Sequence, residues 1–249
     1  NNMRIKRFGV CIAALCAVAA VSAATETGDK EPFWLGGDIS GMNATRLRVW
    51  VNPKDGFCSP EDVLKMAKRS QALGMPVMID FHYSDWWADP GKQNPPKAWL
   101  GMTLEQTEKA LADHTRQTLR LLKDNGIDVK WVQVGNETTH GFLWPMGRFE
   151  ENPVNYASLT KAGIKAVREV YPEAEVIIHL DNGFDQGLYD RVFDSLKSNG
   201  VEWDTIGISV YPYWAPEWNA EDDYRLGAFS RNMPTVIMDA FKEAASSAR

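Results

Sequence analysis

The chain has 249 residues, 44% of them hydrophobic, with a formal net charge of −6. That is the balance of an ordinary globular protein, long enough for one large domain. Beyond the first few residues there is no basic cluster, which argues against nucleic acid as a partner. Ten tryptophans is a high count, and a surplus over core needs points to a cleft that takes flat apolar faces.

The segment from Met3 to Ala23 reads MRIKRFGVCIAALCAVAAVSA. A basic start, an apolar run of about fifteen residues and a small-x-small end define a secretory signal peptide, with Val21-Ser22-Ala23 as the cleavage site. The run is short for a membrane span. A lipid anchor on Cys16 is the alternative to a freely exported chain, and Leu15 just before it is larger than such a site prefers. Cleavage removes Arg4, Lys6 and Arg7 and no acids, which takes the net charge from −6 to −9. Cys58 is then the last of three cysteines, so no internal disulfide is expected. The chain divides into a signal peptide over 1–23 and one domain over 24–249, secreted, periplasmic or held at the cell surface.

In chain order, β-branched apolar runs predict strands at Trp34–Ile39, Ala44–Val51, Pro76–Tyr83, Lys130–Gly135, Ala174–Leu180 and Thr205–Tyr211, and a weaker one at Thr235–Met238. Between them lie helices. Pro60–Leu73 opens on Ser59-Pro60 and stops before Gly74; Thr103–Asn125 stops before Gly126; Asn155–Val170 precedes Pro172; Gln186–Ser198 stops before Gly200.

Alternating strands and helices imply a parallel sheet. Runs such as VMIDF, VIIHL and TIGISV are apolar on both faces, as strands covered on both sides must be. A (β/α)8 barrel and a doubly wound sheet both satisfy this. No Gly-x-Gly-x-x-Gly follows the first strand, which disfavours a nucleotide-binding sheet. The strand ends carry Asp38, Trp50, His82, Asn136-Glu137, Asp181-Asn182 and Tyr211 instead. Polar and aromatic residues at the same end of six strands favour the mouth of a barrel, where ligands and chemistry gather. The barrel is expected to be incomplete. Only Ser40 to Asn43 separates the first two strands, far too little for a parallel crossover, and no eighth strand is visible.

Glu137 is the strongest candidate for chemistry. A carboxyl at a strand end in a cleft acts as a general acid when burial raises its pKa, and Asn136 beside it can bond a substrate hydroxyl. His82 precedes a polar and aromatic loop, Ser84-Asp85-Trp86-Trp87. Arg46 and Arg48, two apart on a strand, share one face, and an inward arginine needs acidic partners. The bland readings are a buried His82 satisfied by backbone, and Arg48 in a structural ion pair. Aromatic residues collect in the loops after strand ends: Trp86, Trp87, Trp99, Trp144, Tyr211, Tyr213, Trp214 and Trp218. Indole planes beside carboxylates suggest sugar rings. The four histidines make no His-x-x-x-His and no Cys/His cluster, and Asp181–Asp185 lacks the later ligands of a calcium loop, so neither a metal nor another cofactor is expected.

The motifs RLRVWVNPKDG, IDFHYSDWWADPGKQNPPKAW, VQVGNET, HLDNG and IGISVYPYW occur in this order. Over about residues 34–214 the chain resembles the endo-β-1,4-galactanases of glycoside hydrolase family 53. The resemblance implies a secreted (β/α)8 barrel that cuts β-1,4-galactan, the side chains of pectin, with retention; a monomer is expected. It implies that Glu137 is the acid/base and that Arg46, His82, Trp87, Asp89, Asn136, Asp181, Asn182, Tyr211 and Trp214 bind substrate. The chain departs from the family in lacking a helix before RLRVWV and a Glu in the short apolar motif that carries the nucleophile. Asp239, after Val236-Ile237-Met238, is the positional stand-in.

Overall fold

A computed structural model describes residues 44–183 and 185–209. The expected strands at 34–39 and 235–238, the signal peptide, and Tyr211, Trp214 and Asp239 lie outside these residues.

Five strands form one parallel sheet: β1 (Thr45–Val49), β2 (Val77–Phe81), β3 (Val129–Val134), β6 (Glu175–Leu180) and β7 (Thr205–Ile208), hydrogen-bonded in that order. A two-stranded antiparallel hairpin, β4 (Gly141–Phe142) and β5 (Gly147–Arg148), stands on the loop after β3. The order of the five strands decides between the two architectures that the sequence left open. A doubly wound sheet reverses direction at a switch point, whereas here every strand adds to the same side of the one before, as in a barrel wall.

Four helices provide the crossovers: α1 (Pro60–Ala72), α2 (Leu104–Asp124), α3 (Pro153–Val170) and α4 (Gln186–Ser198). Their starts follow the expected chemistry. Ser59 accepts the Asp62 N–H at 3.3 Å with Pro60 in the first turn, and Asp185 accepts the Leu188 N–H at 2.8 Å. Thr103 and Gln106 bond each other reciprocally to open α2, so the box partner is Gln106.

Each sheet strand splits its side chains between two faces. Leu47 and Val49, Val77, Ile79 and Phe81, Val132 and Val134, and Val176, Ile178 and Leu180 enter one apolar cluster with Val63 of α1, Leu111 and Leu119 of α2, Val167 of α3 and Val192 of α4. Gly163 lets α3 lie close to β3, because a Cβ there would fall 2.7 Å from Val134 Cγ1. The alternate positions, Arg46, Asp80, Gln133 and His179, face the other way, into the barrel.

His114 on α2 sits among the rings of Phe81, Tyr83 and Trp99, with Nε2 buried and unpaired. Desolvation pulls its pKa down to about 4, against a weaker opposing pull from Asp85. The folded pKa is thus below the unfolded value, so acid favours the unfolded chain: stability falls as pH drops from about 6.5 towards 4. His114→Phe is expected to flatten that part of a urea-denaturation pH profile by up to about 3 kcal/mol. An unchanged slope would mean that the imidazole is hydrated. Buried His179 on β6, whose pKa desolvation also lowers, adds a separate loss of the same sign, so the flattening is partial.

Candidate active site

Gly135 ends β3 with φ +86°, a conformation that side chains rarely adopt, and a Cβ there would lie 2.5 Å from Thr138 Cγ2. The chain turns sharply, so that Asn136 and Glu137 leave the strand at its carboxyl end, both buried. Glu137 itself is left-handed, φ 47° and ψ 53°, although it is not glycine. Such a conformation persists only where neighbours over-determine it. Its N–H donates to His179 Nδ1 at 3.2 Å, and its C=O accepts from Gln93 Nε2, also at 3.2 Å. The same Gln93 amide donates to the Asn136 C=O at 2.9 Å. Two loops and two strands therefore fix one peptide.

Below the Glu137 peptide lies a buried polar network on the inner sheet face. Asp80 Oδ2 takes Arg46 Nη2 at 2.8 Å and His82 Nε2 at 3.2 Å, and Asp80 Oδ1 takes Gln133 Nε2 at 2.5 Å. Arg46 Nη2 also donates to Asn136 Oδ1 at 2.8 Å, and the Asn136 amide donates to the Ala88 C=O at 2.8 Å. Burial pushes the Asp80 carboxyl up, but the Arg46 guanidinium and then His82 outweigh it, leaving the carboxyl below its usual range. Because the Ala88 N–H donates to His82 Nδ1 at 3.1 Å, Nε2 carries the ring proton and points it at Asp80.

His179 is held neutral. Desolvation first, then the Arg46 charge, lower its pKa to about 3. Its Nδ1 accepts the Glu137 N–H, and Nε2 then donates to Ser209 Oγ at 2.9 Å. Asn136 Oδ1, 3.1 Å from the same Nδ1, faces a second acceptor and is satisfied by Arg46 instead. Asp181, after β6, accepts a short hydrogen bond from Thr139 Oγ1, and desolvation raises its pKa. Its side chain therefore joins the segment just past Glu137.

The other expected residues divide. Arg46, His82, Asn136 and Glu137 come together as the sequence implied. Arg48 does share the inner face, but its partner is aromatic: the guanidinium carbon lies 3.7 Å from the Trp87 ring centre. Among the described residues, a cation–π contact stands in place of the ion pair expected for it. Trp87 also meets His82 edge-on at 5.9 Å, which ties the aromatic patch to the polar network. Asp89 instead closes its own turn, accepting the Gly91 N–H and pairing with Lys92, each at 3.0 Å. Asn182 is exposed, with φ 51°. Among the described residues, no group of three or more His, Cys, Asp or Glu is placed to hold a metal ion. No described helix is long and apolar enough to cross a membrane.

A parallel barrel wall whose mouth carries Asn-Glu on a rigid strand end, with Trp87 tied through His82 to the polar network beneath, is the arrangement expected of a barrel that handles sugars. Comparison with known proteins names the family. The model of glycosyl hydrolase family 53 matches residues 9–237, and the chain belongs to that family. It is 37% identical over 184 residues to a probable arabinogalactan endo-β-1,4-galactanase A of Neosartorya fischeri, covering 71% of this chain and 51% of that one. Identity to the endo-β-1,4-galactanase of Bacillus subtilis is 37% over 183 residues, covering 70% of this chain and 42% of that one. The fold matches the Ignisphaera aggregans family 53 catalytic domain, with TM-score 0.66 and 39% identity, over 70% of this chain and 50% of that one. It also matches a fungal β-1,4-galactanase, with TM-score 0.67 and 37% identity, over 70% and 54%. The fold is thus that of the family's (β/α)8 barrel, of which the described residues supply five strands. The chain spans about half the length of the curated relatives that it matches.

Proposed function

We propose that the protein is an endo-acting glycoside hydrolase that cleaves β-1,4-galactan with retention of configuration. Glu137 protonates the glycosidic oxygen as it leaves and then takes a proton from the incoming water. A second carboxylate, about 5–5.5 Å away, forms the glycosyl-enzyme, and Asp239 holds that position in the sequence. The chemistry asks for two carboxyl groups and no cofactor. The observation that carries this reading is the over-determined left-handed Glu137 at the mouth of the barrel, with Asn136 beside it. Arg46, His82, Trp87, Asn136, Asp181 and Asn182 line the mouth around it and bind the glycan, as do Tyr211 and Trp214 of the YPYW motif. The protein is exported on the signal at 1–23 and acts as a monomer on polysaccharide outside the cell.

A second reading, a galactan-binding barrel without hydrolysis, is favoured by Asp239 standing where the family has Glu. Reducing-sugar release from potato β-1,4-galactan, beside β-1,4-mannan and carboxymethylcellulose, separates the readings. Release from galactan alone, lost in Glu137→Ala, is expected. Binding without release selects the second reading, and release from mannan or cellulose moves the substrate to another β-1,4-linked polymer.

A further inference from the structure

We infer that Trp86 is a sugar-stacking, specificity-determining residue of the mouth, an inference that rests on the proposed reading of the site as one for β-linked glycan. Trp86, Trp87 and Trp50 form one patch after β1 and β2. Trp50 is its buried base, and the Trp86 ring lies 4.7 Å from it, tilted by 34°. The Trp87 ring meets Trp50 at 5.9 Å and 67°. Resemblance alone points to Trp87 as the platform. In the structure one face of Trp87 is taken by the Arg48 guanidinium, and its edge by His82. Trp86 is 55% exposed against 40% for Trp87, and its covered face rests on Trp50. The open indole plane of the patch therefore belongs to Trp86.

The segment that bears Trp86 is pinned from both sides. Asp85 accepts the Asn52 N–H at 3.0 Å through one oxygen and the Lys97 N–H at 2.9 Å through the other. The Ser84 C=O accepts the Val51 N–H at 2.9 Å, and Ser84 Oγ accepts the Trp86 N–H at 3.4 Å. A large apolar plane held rigid in water is preorganised, so a ligand that stacks on it costs little ordering of the protein. The chemical fit is to a hexose that offers a continuous C–H face. In a β-galactosyl unit the axial 4-hydroxyl leaves C3, C4 and C5 with their hydrogens on one side, and that patch suits an indole. Glucose and mannose, with an equatorial 4-hydroxyl, present a less continuous one. Trp86 offers a stacking plane and neither an acid nor a base, so its role is affinity and choice of glycan.

Tryptophan-fluorescence titration of the purified full chain tests this without any need for turnover. The probes are 1,4-β-D-galactotetraose, mannotetraose and cellotetraose. Galactotetraose is expected to bind wild type with a blue shift. Trp86→Ala is expected to bind it roughly tenfold more weakly, and Trp86→Tyr within roughly threefold of wild type. Leu73→Ala, exposed at the far end of α1, should bind as wild type does. Circular dichroism and an unchanged unfolding midpoint establish that Trp86→Ala is folded. Equal galactotetraose affinity in wild type and folded Trp86→Ala overturns the inference and leaves the proposed substrate standing. Trp86-dependent binding of mannotetraose or cellotetraose alone keeps the stacking role and overturns galactan as the substrate. A wild-type chain that binds none of the three overturns both.

Discussion

Asp80→Asn is expected to destabilise the fold by about 3 kcal/mol, the low end for breaking a buried ion pair, because the Arg46 side chain keeps 26% of its exposure. The geometry explains why so small a change should cost so much. Three donors converge on the carboxylate: Arg46 Nη2 and His82 Nε2 on one oxygen, and Gln133 Nε2 on the other. An asparagine offers a single oxygen. Whichever way its amide is turned, an NH2 group then faces a donor at close range in a site with no exposure on the Asp80 side. The Arg46 charge loses its counter-ion as well. Urea denaturation at pH 7 measures the effect, and a change below about 1 kcal/mol would mean that water replaces the carboxylate. Arg46→Met in the Asp80→Asn background should recover part of the loss, because the two side chains share one interaction. The Asp80 carboxyl titrates below its ordinary value, so its contribution is complete above pH about 4 and fades below that.

This network was only half legible in the sequence. Among the described residues the strand and helix pattern was legible from periodicity and punctuation: the four helices begin and end within two residues of the bounds expected from the sequence. The hairpin of β4 and β5 was not, because two-residue strands carry no period. Arg46 announced that it needed an acid, and the acid was visible in VMIDF as a charged residue inside an otherwise apolar strand, two before His82. Counting alternation from Arg46 across paired strands would have found Asp80 and Gln133 on the same face, since Arg48 pairs with Asp80 and Asp80 with Gln133 in register. His179 carried no such signal. Within EVIIHL it reads as one more strand residue, and its bond to the Glu137 peptide depends on β6 lying beside β3, a contact between residues 42 apart. Gln93 was hidden for the same reason, since its two bonds reach across 43 and 44 residues from a loop. Sequence shows which groups can do chemistry; the groups that hold them lie on other strands and loops, and only the fold brings them together.

Glu137→Ala is expected to lower turnover of β-1,4-galactan by about 1,000-fold, within the range that a positioned general acid/base supplies. The loss should depend on the leaving group in a way that a merely structural defect would not produce. An aryl β-galactoside whose phenolate leaves without protonation bypasses the first task of Glu137. On such a substrate, formation of the glycosyl-enzyme should stay fast in the variant, while its hydrolysis slows for want of a base. Steady-state turnover then falls with KM, and a burst of phenolate precedes it. Azide is a nucleophile that needs no base, so adding it should restore turnover and yield β-galactosyl azide, with the configuration of the substrate retained. Burst, rescue and β-product together identify Glu137 as the acid/base of a retaining enzyme. An α-configured azide product would mean direct displacement and sink the double-displacement scheme. Equal losses on galactan and on the activated galactoside, with no rescue, would place Glu137 among the residues that shape the mouth.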